Sequence, residues 1–476
     1  MMMRASTLIM GLLIAGTLGA VAAQTTPPDT LSQARINAAA PGDTLHVQPG
    51  TYNGPFVIDR PLVLVGHERP HLRGDDTTHV VQITAPRVHV EGFELSRSGT
   101  NLGSDHAALM VQAPRVTIRN NRIRNSLHGI YLKGARYAHI EDNHIQGKTT
   151  IQRTETASAS HHGGTQNEDM HGDMHHEALG QNQRGNGIHL WKTAHNTIRG
   201  NTITQVRDGI YFSFADSTHA SENTIEQARY GLHYMYSDDN RFTDNRFSGN
   251  AAGAALMYSK RITVARNQFQ DNRTHRGYGL LLQSVENTRI TNNDILRNAT
   301  GIYLENSHMN TVQSNRIASN FRGMRLTGSS YRNTFAENTI RANLQTILLR
   351  GHSDTNAWHT GGRGNYWGPR GLLDLDADGV SETPHRTVDL LGPYEEDFPF
   401  VALLTRSPGI DLVTHALQRV PPPGASMIVD DYPLMQAPHD TTEGASVASA
   451  ARSWLGAVGL VGLLGLAFLL IRPARS

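Results

Sequence analysis

A beat of 22 residues runs through the middle of this chain, and no other feature restricts its fold so strongly. Asn followed two positions later by Ile or Phe recurs at Asn121, Asn143, Asn201, Asn223, Asn245, Asn267, Asn293, Asn315 and Asn338, mostly in steps of 22. Gly followed by apolar residues one and three positions on keeps the same beat at Gly129, Gly187, Gly209, Gly231, Gly279, Gly301 and Gly323. A third short alternating segment fills each period, as in Asn196-Thr197-Ile198 and Asn310-Thr311-Val312. Fixed self-similarity of this length marks a solenoid, and three short strands per period describe one coil of a β-helix. The chain is therefore expected to be all-β, a right-handed parallel β-helix with three short strands per roughly 22-residue coil. Alternation points Ile, Leu and Phe inward, while stacked Asn forms amide ladders at the corners. Asn and Gly are expected where the backbone turns through left-handed conformations.

Strand-like segments from Gly42 to Val111 continue the rhythm less regularly and supply the first coils, giving about a dozen between residues 41 and 365. Thr30 to Ala40, with Leu31 and Ile36, suits a short helix over the open N-terminal edge. The segment Leu390 to Phe400 is expected to close the other end. Two interruptions stand out. Gly129 to Gly187 spans 58 residues, 36 more than one period, which places an insertion at about 147–183. A smaller excess of four residues falls around Asn272 to Arg276.

The ends carry addresses. Arg4, the apolar run Leu8 to Leu18 and Ala20-Val21-Ala22 read as a cleavable signal peptide over residues 1–23. Residues 454–471 form an uninterrupted apolar stretch followed by Arg472 and Arg475, the pattern of a transmembrane helix with its C-terminus in the cytoplasm. The body, 24–400, would then lie in the periplasm, tied to the inner membrane through a polar linker at 401–453 that includes Pro421 to Pro423. A formal net charge of +1 gives no reason to recruit nucleic acid.

Cysteine is absent, so any metal must be held by His, Met, carboxylate or backbone oxygen, and 25 His are more than packing needs. The insertion contains His161, His162, Met170, His171, Met174, His175 and His176 among Glu168, Asp169, Asp173 and Glu177. Thioether mixed with imidazole is the ligand set that captures Cu(I), here on a hydrophilic loop without a strand pattern; the alternative is a low-complexity loop with incidental His enrichment. The coil register adds a second candidate. Steps of 22 stack His189, Tyr211, His233 and Ala255 on one outward row, and Trp191, Ser213, Met235 and Met257 on the next. Met235 and Met257 would then sit on adjacent coils about 4.8 Å apart with His233 in reach. Such a face could dock a soft metal or a partner's apolar surface, or simply form a surface ladder under a loop. Finally, Asp374, Asp376 and Asp378 before Gly379 resemble the first half of a calcium loop, although position twelve is His385 rather than Glu. A structural Ca²⁺ site or the same turn held by internal hydrogen bonds would each account for it.

The 22-residue beat, the Asn-Thr-Ile and Gly-Ile-x-Leu phrases, and Asn365-Tyr366-Trp367 followed by the Asp374 to Gly379 block together resemble the NosD family over roughly Pro41 to Phe400. That resemblance implies an accessory protein for assembly of the copper-sulfur centre of nitrous oxide reductase. Its implied partners are an ABC transporter permease and ATPase, a copper chaperone and apo nitrous oxide reductase, with copper bound transiently. The His/Met insertion and the C-terminal apolar stretch depart from the family pattern. Two other classes share such repeats: a polysaccharide lyase, epimerase or hydrolase, and a structural surface protein. An enzyme would need clustered carboxylates in a groove. Asp208, Asp216 and Asp238 read instead as turn residues, so no catalytic row is expected.

Overall fold

A computed structural model of the chain describes residues 30–153, 175–274, 277–351, 355–368, 373–388 and 427–438, with 409, 413, 416 and 417. Three parallel sheets of twelve strands each wind into a β-helix, beginning at Thr44–Val47, Thr51–Asn53 and Phe56–Ile58 and ending at Thr334–Ala336, Thr339–Arg341 and Gln345–Arg350. Bridges from Thr334 to Ala357 and from Thr339 to Tyr366 start a partial thirteenth coil. Strands of the first two sheets are mostly three residues long and each points one side chain inward, such as Ile198 of Thr197–Arg199 and Ile203 of Thr202–Thr204. Strands of the third sheet are longer and send two inward, such as Ile210 and Phe212 of Asp208–Asp216. The inward positions stack coil on coil: Ile203, Ile225, Phe247, Phe269, Ile295, Ile317 and Ile340 follow one another in register and are buried. Each such side chain contributes roughly 1.5–3 kcal/mol of burial, but only once its neighbours are in place.

At the corner between the first two sheets, Asn121, Asn143, Asn201, Asn223, Asn245, Asn267, Asn293, Asn315, Asn338 and Asn365 form one continuous buried amide ladder. Each amide oxygen accepts both the side-chain and the backbone N–H of the preceding Asn, as Asn223 Oδ1 does from Asn201 at 2.9 and 3.0 Å. The left-handed conformation lies one residue earlier than expected, at Asp142, Gly200, Glu222, Asp244 and Arg266. The repeated Gly has a different reason too. A Cβ on Gly209 would stand 2.5 Å from the carbonyl oxygen of Gly231 and 2.4 Å from Ile225, so close approach of successive coils excludes any side chain.

The two ends are closed by unlike devices. Helix Gln33–Ala38, capped by Ser32, buries Ile36 on the first coil, in agreement with the expected N-terminal cap. Its Gln33 side chain accepts from Val57 N at 2.8 Å and donates to Val57 O at 2.9 Å, pairing the edge strand. At the other end Phe335, Trp358, Trp367 and His385 stack in sequence. Residues 427–438, expected to belong to the linker, instead fold back here. Met427–Asp430 pairs antiparallel with His385–Val388, and buried Asp430 accepts from Asn365 N at 2.7 Å and Trp367 Nε1 at 2.8 Å. Residues 390–400 and the rest of 401–453 lie almost wholly outside the described residues.

Candidate functional site

The third sheet carries the face that the register singled out. In pairing order its outward row runs Met110, Tyr131, His189, Tyr211, His233, Ala255, Leu281 and Tyr303, and the next row runs Lys133, Trp191, Ser213, Met235 and Met257. Both expected rows are therefore real, and Met235 and Met257 do face each other across adjacent coils. The outward row is nonetheless largely covered. His189, Tyr131 and Tyr303 are buried and His233 keeps only 14% of its side chain exposed, because the rings lie against one another. Tyr131 to His189, His189 to Tyr211, Tyr211 to His233 and His233 to Tyr230 have centroids 4.1, 4.6, 4.8 and 4.9 Å apart.

Beneath this row lies Asp208, and it is not a turn residue. It opens the strand Asp208–Asp216, is fully buried, and accepts from Arg229 Nε at 2.9 Å and Arg229 Nη2 at 2.7 Å. His233 Nδ1 lies 3.0 Å from its other face at Oδ2. Burial pushes the Asp208 carboxyl up, but the hydrogen bonds and charges of His233 and Arg229 outweigh it and hold the group below its ordinary range. An ionised carboxylate there accepts the proton that His233 carries on Nδ1, and Nε2 has no hydrogen-bond partner among the described residues. Asp216 and Asp238, by contrast, do cap corners: their carboxylates accept the backbone N–H of Asp238 and Lys260.

Burial keeps two neighbouring imidazoles neutral. His128, wholly enclosed, is lowered to about 3, and its Nδ1 accepts from Asn186 N at 2.9 Å. His189 is lowered well below the usual value, by burial first and then by nearby His128 and Arg207. Imidazole on the row beside thioether, as His233 is beside Met235 and Met257, suits a soft or borderline cation. Next to this row, an exposed ridge was missed by the sequence reading although it keeps the same beat. Phe214, Tyr236 and Tyr258 stack with centroids 5.3 and 5.1 Å apart at a corner where all three have positive φ.

Of the insertion, the ends are ordered: Thr150–Arg153 and His175–Ala178 pair antiparallel, so the loop departs on a strand pair rather than without structure, and His175 and His176 stand on it. His161, His162, Met170, His171 and Met174 lie outside the described residues. In the acidic turn, Asp374 and Asp376 converge with Glu382, their ligand oxygens within 4.8 Å of one another. Asp378 is not part of that group, and its Oδ1 accepts from Val380 N at 2.7 Å; Asp374, Asp376 and Glu382 accept backbone N–H groups of the same turn as well. The sequence reading looked for a twelfth-position ligand and passed over Glu382 at the ninth; His385 stacks on Trp367 instead. Residues 1–23 and 454–471 lie outside the described residues, among which no helix is long and apolar enough to cross a membrane.

Fold and face together define a parallel β-helix protein with a histidine-, tyrosine- and methionine-bearing outward face. The family model described as "Periplasmic copper-binding protein (NosD)" matches residues 165–370, and one described as "Protein of unknown function (DUF1565)" matches 14–254. A probable ABC transporter binding protein NosD of Pseudomonas aeruginosa is 32% identical over 405 residues, covering 82% of this chain and 87% of that one. Its counterpart from Stutzerimonas stutzeri is 30% identical over 406 residues, covering 82% and 86%. The chain belongs to the NosD family. Among solved structures, the Dettilon tailspike protein aligns over 64% of this chain and 61% of its own at 13% identity and a TM-score of 0.46.

Proposed function

We propose that this chain is a periplasmic accessory protein for assembly of the copper-sulfur centre of nitrous oxide reductase, which holds copper briefly and passes it on beside an ABC transporter. The observation that carries the reading is the register of His233, Met235 and Met257 on one outward face, with Asp208 bonded to His233 Nδ1 from below. Copper is the cargo. Thioether sulfur and imidazole Nε2 offer Cu(I) a soft, incomplete ligand set, one that a recipient can displace by ligand exchange. The carboxylate behind the imidazole keeps that ring oriented while the cargo comes and goes. His161, His162, Met170, His171, Met174, His175 and His176 serve in this reading as a capture loop, loaded by a copper chaperone. Asp374, Asp376 and Glu382 would hold a structural Ca²⁺, all their donors being hard oxygens.

The export signal at 1–23 and the apolar segment 454–471 fit the same role, since they would keep the β-helix at the outer face of the inner membrane. There it would meet the transporter permease with its ATPase, and the apo-reductase that receives copper. The reading assigns no catalytic residue; the relatives are named as transporter-binding proteins. Titration of the full chain with Cu(I) against a competing chelator tests it. Combined His233→Ala, Met235→Ala and Met257→Ala should weaken binding roughly tenfold or more, and Asp208→Asn alone roughly 10- to 100-fold. Wild-type affinity in the triple variant, with full copper loading of the reductase in cells that carry it, would refute copper handling by this face.

A further inference from the structure

Two guanidiniums attend the single carboxylate beneath the His233 face. The backbone N–H of Arg229 donates to Arg207 O and that of Arg207 to Gly185 O, so the two arginines stand one above the other on successive coils. Asp208 Oδ2 lies 2.7 Å from Arg229 Nη2, 3.0 Å from His233 Nδ1 and 3.6 Å from Arg207 Nε, while Oδ1 accepts from Arg229 Nε at 2.9 Å. Arg207 Nε donates instead to Asn186 Oδ1 at 3.2 Å. Neither guanidinium pairs with a second carboxylate among the described residues. Two positive charges against one negative leave a formal surplus of +1 under the face before any cargo arrives. Arg207 and Arg229 keep only 22% and 31% of their side chains exposed, so solvent and salt screen that surplus only in part.

Neither stability nor the orientation of His233 calls for this surplus. Replacing a buried ion pair by apolar residues is often neutral or stabilising, and the bond to His233 Nδ1 needs only the carboxylate. A carboxylate behind a ligating imidazole strengthens its grip on a metal, and Arg229 works against that by claiming both carboxylate oxygens in a fork. The arginines therefore oppose the binding of cations, and they oppose it unequally. Repulsion grows in proportion to the charge of the incoming ion, so a divalent ion meets twice the barrier of a monovalent one. That difference matters at this face because imidazole accepts Zn(II) and Cu(II) as readily as it accepts Cu(I). Thioether sulfur from Met235 and Met257 attracts a soft ion, but attraction alone rejects nothing. Selection also draws on an element that repels the competitor.

We infer that Arg229 and Arg207 are specificity-determining residues of the His233 face, whose surplus charge turns away divalent ions that the imidazole would otherwise take and leaves the face to a monovalent one. The inference rests on the copper reading above and adds to it the exclusion of ions such as Zn(II). Chelator-competition titrations of the full chain with Cu(I) and, separately, with Zn(II) test it, each corrected for ions held elsewhere by the same titration of His233→Ala. Arg229→Gln keeps a donor toward Asp208 and removes the charge, whereas Arg229→Lys keeps the charge. Since the repulsive free energy doubles for a divalent ion, a gain of roughly tenfold for Cu(I) is one of roughly a hundredfold for Zn(II). Zn(II) affinity relative to Cu(I) should therefore rise roughly tenfold in Arg229→Gln and move the same way in Arg207→Gln. It should stay at the wild-type value in Arg229→Lys and in Arg266→Gln, whose guanidinium serves Asp244 at another corner. Loss of mere structural support would change both ions alike. If Arg229→Gln lacks the wild-type melting transition, Arg207→Gln carries the test, since its nitrogen makes no hydrogen bond to Asp208. A ratio that stays put in the glutamine variants, or rises equally in Arg229→Lys, overturns the inference while Cu(I) binding stands. Absence of His233-dependent Cu(I) binding in the wild type is a different result, which removes the copper reading and this inference together.

Discussion

The Asn ladder at the first corner and the outward row of the third sheet share one period but use it in opposite ways. Along the ladder the residue type is the same at every coil from Asn121 to Asn365, and each amide is completed by the next. Along the row the register is as regular, yet the residues run Tyr131, His189, Tyr211, His233, Ala255, Leu281, Tyr303. A position whose hydrogen bonds must be satisfied by its own copy one coil away cannot vary without leaving a buried polar group unpaired. A position that faces outward is free of that demand, so its variation along the axis is available for binding. Constancy under the beat marks the scaffold, and departure from constancy marks the working surface.

The sharpest way to break this contrast is to change one member of each. Asn223→Ala removes four hydrogen bonds, to both the backbone N and the side chain of Asn201, to Ile198 O and to Asn245. At roughly 1 kcal/mol each, the expected loss is about 3–4 kcal/mol in urea denaturation, with Cu(I) affinity of the folded fraction unchanged. If stability falls by less than about 1 kcal/mol, the ladder is not what locks the coils.

A smaller effect is expected from acid. Because His128 is lowered in the folded chain to about 3 from an ordinary value near 6.5, the unfolded chain binds the extra proton first. The stability it contributes is therefore complete above about pH 6.5 and is lost as pH falls from there toward 3, by roughly 2 kcal/mol at pH 5. His128→Asn, which keeps an acceptor for Asn186 N, should flatten that part of the pH profile. An unchanged profile would mean that other groups carry the acid sensitivity.

Least of all should follow from trimming the working surface. Met235→Ala and Met257→Ala, both at half-buried outward positions, are each expected to cost under about 1 kcal/mol, which thermal denaturation can check. Replacing 154–174 by a short Gly-Ser turn should likewise shift stability by less than about 1 kcal/mol, since Arg153 and His175 already lie opposite each other. If the insertion is the capture loop, Cu(I) capacity then drops while the melting transition stays in place.

How far the sequence disclosed this follows from the same contrast. The number of sheets, the inward stacks, the ladder and the pairing of Met235 with Met257 were all legible, because a period alone determines register. Asp208 was misread because its partners, Arg229 and His233, come from the following coil, and burial on an outward face depends on what the neighbouring coil sends across. Arg207 and Arg229, one period apart and each beside this cluster, were the available signal. The left-handed positions were displaced by one residue because Asn is held by its ladder and the preceding residue makes the bend. The fold-back of 427–438 has no periodicity to announce it. Beside its strand pairing and the packing of Leu434 on Tyr366 and Val380, it brings a buried carboxylate, Asp430, against which even a methyl on Gly364 would collide.

The Gln33 amide has one more consequence. An uncovered end of a parallel stack is a template onto which another chain can add a strand, and repetition of that step makes a fibre. By presenting one acceptor and one donor to Val57, a single side chain imitates the peptide group of a coil that does not exist. An incoming strand would have to evict it first, so the solenoid keeps a fixed length at that end.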